Sequence, residues 1–278
     1  MKTNNVIKSA LLACLLTLAA QPAFAGLHIR LVFLGGPPPP PSLMVGGGSL
    51  QKIMQVAAEN WENVFKQGGG KWDVTIYYGW GTNLITGDLY GQEDMLEEGR
   101  GNVVRITHSL VLFNPNPPQP AQGGVRGFFA DPTPRDNSEY QLYTRVQHDV
   151  QGVEVNYGRV FTEATGAAAG RIDLLTIAMH EIGHSLGLDL GYSGFKARFI
   201  EGLFVRITSP PRYAGLTLQV KAQGPHVDDD PNVESALMWQ RATPGQRQFI
   251  SVADALVIGR FSLFDRPTLT DPFTGDRD

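Results

Sequence analysis

The sequence predicts an α+β domain, and three observations carry that reading. Strand-like runs with apolar residues on alternate positions recur through the first two thirds of the chain. Two helical patterns, residues 50–66 and 171–186, are set apart by a block of strands rather than alternating with each of them. A third helix, residues 252–261, follows a long irregular stretch.

The elements follow in order. The run 26–34 alternates well enough to be a strand. Residues 35–48 form a Gly/Pro tract with five consecutive prolines, a loop or stiff spacer. In 50–66, Ile53, Val56, Ala57, Trp61 and Phe65 recur at three- and four-residue spacing. Ser49 is placed to cap this helix and Gly68-Gly69-Gly70 to stop it. Strands are expected over 72–80, 102–113, 125–130 and 152–161, with Asn/Pro-rich turns at 114–124 and 131–137. Leu174, Ile177, Ala178, Ile182 and Ser185 give the second helix an inward face, with Asp173 in its first turn and Gly187 at its end. A strand is expected over 213–220, and Ser251 with Asp254 fits a capping box before the last helix. Trp61, Trp72 and Trp80 belong to the core between the first helix and the sheet.

Residues 1–25 read as a secretory signal peptide. Lys2 and Lys8 precede an apolar run, Ala10 to Ala20, and Pro22-Ala23-Phe24-Ala25 offers a cleavage pattern. The apolar run is shorter than the ~20 residues that a bilayer span needs. A secreted or periplasmic protein is expected, with one domain over 26–278, divided into an upper part 26–187 and a lower part 188–278. The single cysteine, Cys14, lies in the leader. The mature chain then forms no disulfide, and any metal must sit on His, Asp or Glu. Without Lys2 and Lys8, 21 basic residues face 27 acidic ones, which argues against nucleic acid as a partner. No later stretch is long and apolar enough to span a membrane, and the oligomeric state is not legible.

The chemistry concentrates in His180-Glu181-Ile182-Gly183-His184. Histidines four apart on a helix project from one face, as two imidazole ligands of a tetrahedral zinc require. Zinc lowers the pKa of water toward 7, and Glu181, beside the first ligand, is placed to take that proton and pass it to a leaving amine.

The segment from His180 to Asp189 resembles the metzincin zinc peptidases, and most closely their matrix-metalloprotease branch. That group's motif ends in a third histidine where this chain has Leu190. Asp189, Glu201 and His226 are the candidate replacements. Asp189 is one residue early, and the neighbours of Glu201 form no second motif. His226 is chosen, twelve residues before Met238. Ser235-Ala236-Leu237-Met238-Trp239 resembles the metzincin Met-turn, and a delayed histidine just before that turn is similar to the leishmanolysin-like branch. The resemblance implies a metzincin-like mixed sheet, a long helix, a zinc-site helix and a smaller lower subdomain. It implies one catalytic Zn2+ on His180, His184 and His226, Glu181 as base, and a peptide or protein substrate laid along a sheet edge, for which 125–130 is the candidate. Gln240 stands where some branches have a tyrosine. A cysteine switch is excluded, and little room remains for an inhibitory propeptide.

Other features are weighed alongside. Asp228-Asp229-Asp230 is read as a solvated acidic loop, with structural Ca2+ as the minor alternative. His28, His108 and His148 are read as structural or surface residues. The reading is a secreted zinc-dependent endopeptidase. The rival is an exported surface-binding or adhesion protein on a metallopeptidase-like scaffold, and a third option is hydrolysis of a non-peptide amide.

Overall fold

The computed structural model describes residues 26–67, 70–81, 89–99, 103–200, 204–221, 225–227, 235–264 and 266–276. Residues 1–25, read above as a signal peptide, Glu201 and Asp228 to Asp230 lie outside them. In chain order the elements are β1 (Leu27–Gly35), β2 (Met44–Val45), α1 (Leu50–Val64), β3 (Trp72–Trp80), β4 (Gly91–Glu98), β5 (Ile106–Phe113) and β6 (Phe128–Phe129). There follow β7 (Tyr140–Val150), β8 (Val153–Ala164), β9 (Ile172–Asp173), α2 (Leu174–Ser185), α3 (Ser193–Arg198) and β10 (Phe199–Ile200). The chain continues with β11 (Phe204–Arg206), β12 (Thr217–Gln219), β13 (Arg247–Phe249) and α4 (Val252–Phe261). This mixed set of sheets and few helices is consistent with the expected α+β class.

The main sheet has the order β1-β3-β5-β4. The first three strands run parallel, and β4 pairs antiparallel with β5 as an edge. Helix α1 is the crossover between β1 and β3. Ser49 caps it by accepting the Lys52 N–H, and its apolar stripe buries Ile53, Met54, Ala57 and Trp61 completely. Trp61, Trp72 and Trp80 lie in the core, as expected. The Trp61 Nε1–H donates to Met179 O at 2.8 Å, which fixes α1 against α2.

Helix α2 is almost entirely buried, with Leu174, Leu175, Ala178, Met179 and Ile182 at 0% exposure, so amphipathic periodicity marks it only weakly. Asp173 is its N-cap rather than a first-turn residue, and accepts the Thr176 N–H at 2.9 Å. Gly187, at φ +140°, turns the chain away at the other end. Arg247 on β13 is fully buried and holds Asp173 Oδ1 at 3.0 Å and Asp131 Oδ2 at 2.6 Å. Burial opposes its charge, but the flanking carboxylates, Asp173 foremost, keep the guanidinium protonated.

Several expectations shift. The 125–130 strand shrinks to β6, which lies between β2 and β9 in a small parallel sheet and offers no free edge. Besides β1, the main sheet has β4 as an edge, whose polar sequence GQEDMLEE hid it. The strand at 152–161 extends to Ala164 and pairs with β7, a long strand too polar to read as one. In 213–220 the strand covers only Thr217–Gln219, after a 3-10 turn at Pro211–Tyr213. The Ser251–Asp254 capping box before α4 forms as expected. Among the described residues, no helix is long and apolar enough to cross a membrane.

Candidate metal centre

Three histidines converge where α2, the Met238 turn and the loop after β12 meet. One ligand atom from each of His180, His184 and His226 lies within 4.8 Å of the others, and this is the sole such group of three among the described residues. The three are therefore close enough to bind one metal ion. His226 comes from a loop, but the loop is tied in place. The Val227 N–H donates to Met238 O at 2.9 Å, Lys221 N–H donates to His226 O at 3.0 Å, and Val220 bridges Val227.

The ring nitrogens have distinct tasks. His180 Nδ1 lies 2.7 Å from Leu237 O, and His184 Nδ1 lies 2.7 Å from Leu188 O. A carbonyl only accepts, so each Nδ1 carries the proton and each Nε2 carries a lone pair. The two Nε2 atoms face each other at 3.1 Å. Two lone pairs at that separation repel unless a cation lies between them. Tetrahedral zinc with nitrogens at about 2.0–2.1 Å would set them roughly 3.3 Å apart. Carbonyl partners on the outer nitrogens are the usual second layer of a histidine metal site. Burial, assisted for His180 by the neighbouring His184, depresses His180 to about 3, and burial depresses His184 to about 4, so both are neutral imidazoles at pH 7.

Glu181 is buried beside this cluster, and burial pushes its carboxyl up to about 8. Gly91 at the start of β4 lies directly on it, since a Cβ there would stand 2.7 Å from Glu181 Oε1. The edge strand thus passes over the acid with no side chain between them.

The floor is the turn at Ala236 to Trp239, closed by the Trp239 N–H donating to Ala236 O at 3.1 Å. Met238 is fully buried against Gly183. Asp254 fixes this turn from α4 by accepting the N–H groups of Leu237 and Met238, each at 3.1 Å, besides its capping bonds with Ser251. Leu237 then presents its carbonyl to His180.

His180, Glu181, His184 and His226 are thus brought together, with Met238 beneath. Asp189 is not in the histidine cluster, and its Oδ1 accepts the N–H groups of Gly191 and Tyr192. Leu190 is 46% exposed on the wall of the cleft. His28 pairs with Glu62, His108 pairs with Glu97, and His148 packs on Tyr157, all apart from the site. Sequence reasoning missed Gly91, Glu93 and the role of Asp254. Only Asp254 had left a trace, as half of the capping box.

A cleft of about 700 Å³ opens over the histidines. Tyr90 to Glu93 of the β4 segment and Leu188 to Leu190 line it, with Trp239 to Ala242 beyond the turn. The chain matches no protein-family model, and no curated protein or solved structure is similar to it at a significant level.

Proposed function

We propose that this protein is an exported zinc-dependent endopeptidase of metzincin type. The observation that carries the reading is the trio of histidines whose two helical members each give Nδ1–H to a carbonyl and aim Nε2 at a shared point, with a buried glutamate alongside. Two neutral imidazoles on one helical face and a third from a loop form the donor set of a catalytic zinc site with an open position. A zinc ion held there supplies Lewis acidity, polarising a carbonyl and making water more acidic.

The chain's own groups divide the remaining work. Glu181 accepts the proton of the attacking water and returns it to the departing amine. Burial raises its basicity, and the missing side chain at Gly91 lets the β4 backbone lie against the carboxyl without a clash. The edge of β4, unpaired among the described residues, offers N–H and C=O groups to an extended peptide. His180 and His184 are held in one tautomer by Leu237 and Leu188, so no reorganisation is needed at the moment of reaction.

The test is cleavage of casein and of a quenched peptide library by the zinc-loaded protein. Cleavage should stop with chelator and return with zinc, and Glu181→Gln should lower kcat by about 10²–10⁴ while retaining zinc. Turnover that survives the substitution rejects the mechanism, and zinc binding without any hydrolysis favours a surface-binding role.

A further inference from the structure

Leu89, Glu93, Asp189 and Leu190 line the cleft, and nothing in the proposed chemistry uses them. Glu93 stands two residues after Gly91 on β4 and so projects from the same face, toward α2. Its carboxyl lies near that of Asp189, and its Oε1 is shielded from water and has no hydrogen-bond partner. Burial, followed by the charges of Asp189, Glu181 and Asp94, raises Glu93 well above the usual carboxylate range. The titratable groups acting most on it are therefore all carboxyls.

Asp189 is rigidly presented, because its Oδ1 accepts two backbone N–H groups from the turn that follows. A buried carboxyl oxygen without a partner costs stability and marks a place where a donor is missing. The missing donor is not a caged metal ion, since no three carboxylates converge here among the described residues. Two carboxyls side by side suit an ammonium or a guanidinium. Leu89 and Leu190, 45% and 46% exposed, offer apolar wall for the aliphatic stem that such a group carries.

We infer that Glu93 and Asp189 form a subsite for a lysine or arginine side chain of the substrate, with Leu89 and Leu190 covering its stem. The assignment rests on the peptidase reading of the cleft, and it makes Glu93 a specificity-determining residue.

The test measures binding rather than turnover. Peptides carrying arginine at each position in turn are compared with isosteric citrulline peptides on the zinc-loaded Glu181→Gln protein by fluorescence anisotropy. At one position arginine should bind about tenfold more tightly than citrulline. That advantage should vanish when Glu93→Gln is added, and shrink with Asp189→Asn, in variants whose thermal unfolding stays cooperative. Equal affinity at every position overturns the subsite, as does an arginine advantage that survives both variants or a failure of all peptides to bind. Failure of the peptidase reading shows separately, as absence of hydrolysis by the unsubstituted protein.

Discussion

Met238 packs so tightly on Gly183 that a Cβ at position 183 would stand 2.3 Å from the Met238 sulfur. The helix carrying two histidines and the turn beneath them are thereby locked at one separation. The same Cβ would also meet Trp61 Cζ2 at 3.1 Å, so the helix has no room to retreat. Gly183→Ala should destabilise the protein by about 1–3 kcal/mol through overpacking. Met238→Ala in the same chain should recover part of that loss. Urea unfolding of the two single variants and the double variant measures the coupling, and strictly additive effects would show that the contact does not constrain the site.

Asp254 acts on the histidines at second hand. It holds the N–H groups of Leu237 and Met238, and Leu237 O accepts the Nδ1–H of His180. An asparagine offers one acceptor oxygen and points an amide at donors. Asp254→Asn should weaken zinc binding about tenfold or more, as loss of outer-layer support does. Competition with a chromophoric chelator reads this, and unchanged affinity would disconnect the turn from the metal.

The Arg247 cluster should matter for folding. Replacing Arg247 by methionine leaves Asp131 and Asp173 buried without a countercharge. A loss of about 3–5 kcal/mol is expected, because uncompensated buried charge is costly. Changing both aspartates to asparagine in the same chain should return most of it. Urea midpoints for these variants decide the matter, and a loss below about 1 kcal/mol would place the cluster among weak ion pairs.

Glu181 gives the metal-free protein a defined pH dependence. Its carboxyl rises from an ordinary 4.5 to about 8 through burial. Between those values the unfolded chain has lost a proton that the folded chain keeps. Its contribution is therefore fully present below about 4.5 and is lost as pH rises through about 8. The melting temperature of Glu181→Gln minus that of the unsubstituted protein, both with chelator, should increase from pH 5 to pH 8. A difference that stays flat would mean that Glu181 is not held protonated.

The legible parts of the sequence share a physical cause. His180 and His184 sit four apart on a helix, so their common face follows from the helix alone, with Glu181 beside it. The capping residues Ser49 and Ser251 are local signals, and both form the expected bonds. His226 was legible only through its distance from Met238, and the bonds Val227 N–H to Met238 O and Lys221 N–H to His226 O are what bring it in.

The edge strand was not legible, because an edge beside a polar cleft needs no alternating apolar face. In β4, Glu93 and Asp94 stand where a buried strand would have valine, and its meaning emerges only from pairing with β5. The same holds for β7, stabilised by its antiparallel partner β8 rather than by a hydrophobic pattern. Residues 125–130 misled in the opposite direction. Phe128 and Phe129 read as edge-strand residues but are buried between β2 and β9.

The most direct test of the central claim is X-ray absorption at the zinc edge of the metal-loaded protein. Three imidazole nitrogens at about 2.0–2.1 Å and one light oxygen neighbour are predicted, falling to two imidazoles in His226→Ala. A spectrum unchanged by that substitution, or one with fewer than three imidazoles in the unsubstituted protein, would contradict the assignment of His226 and the peptidase reading built on it.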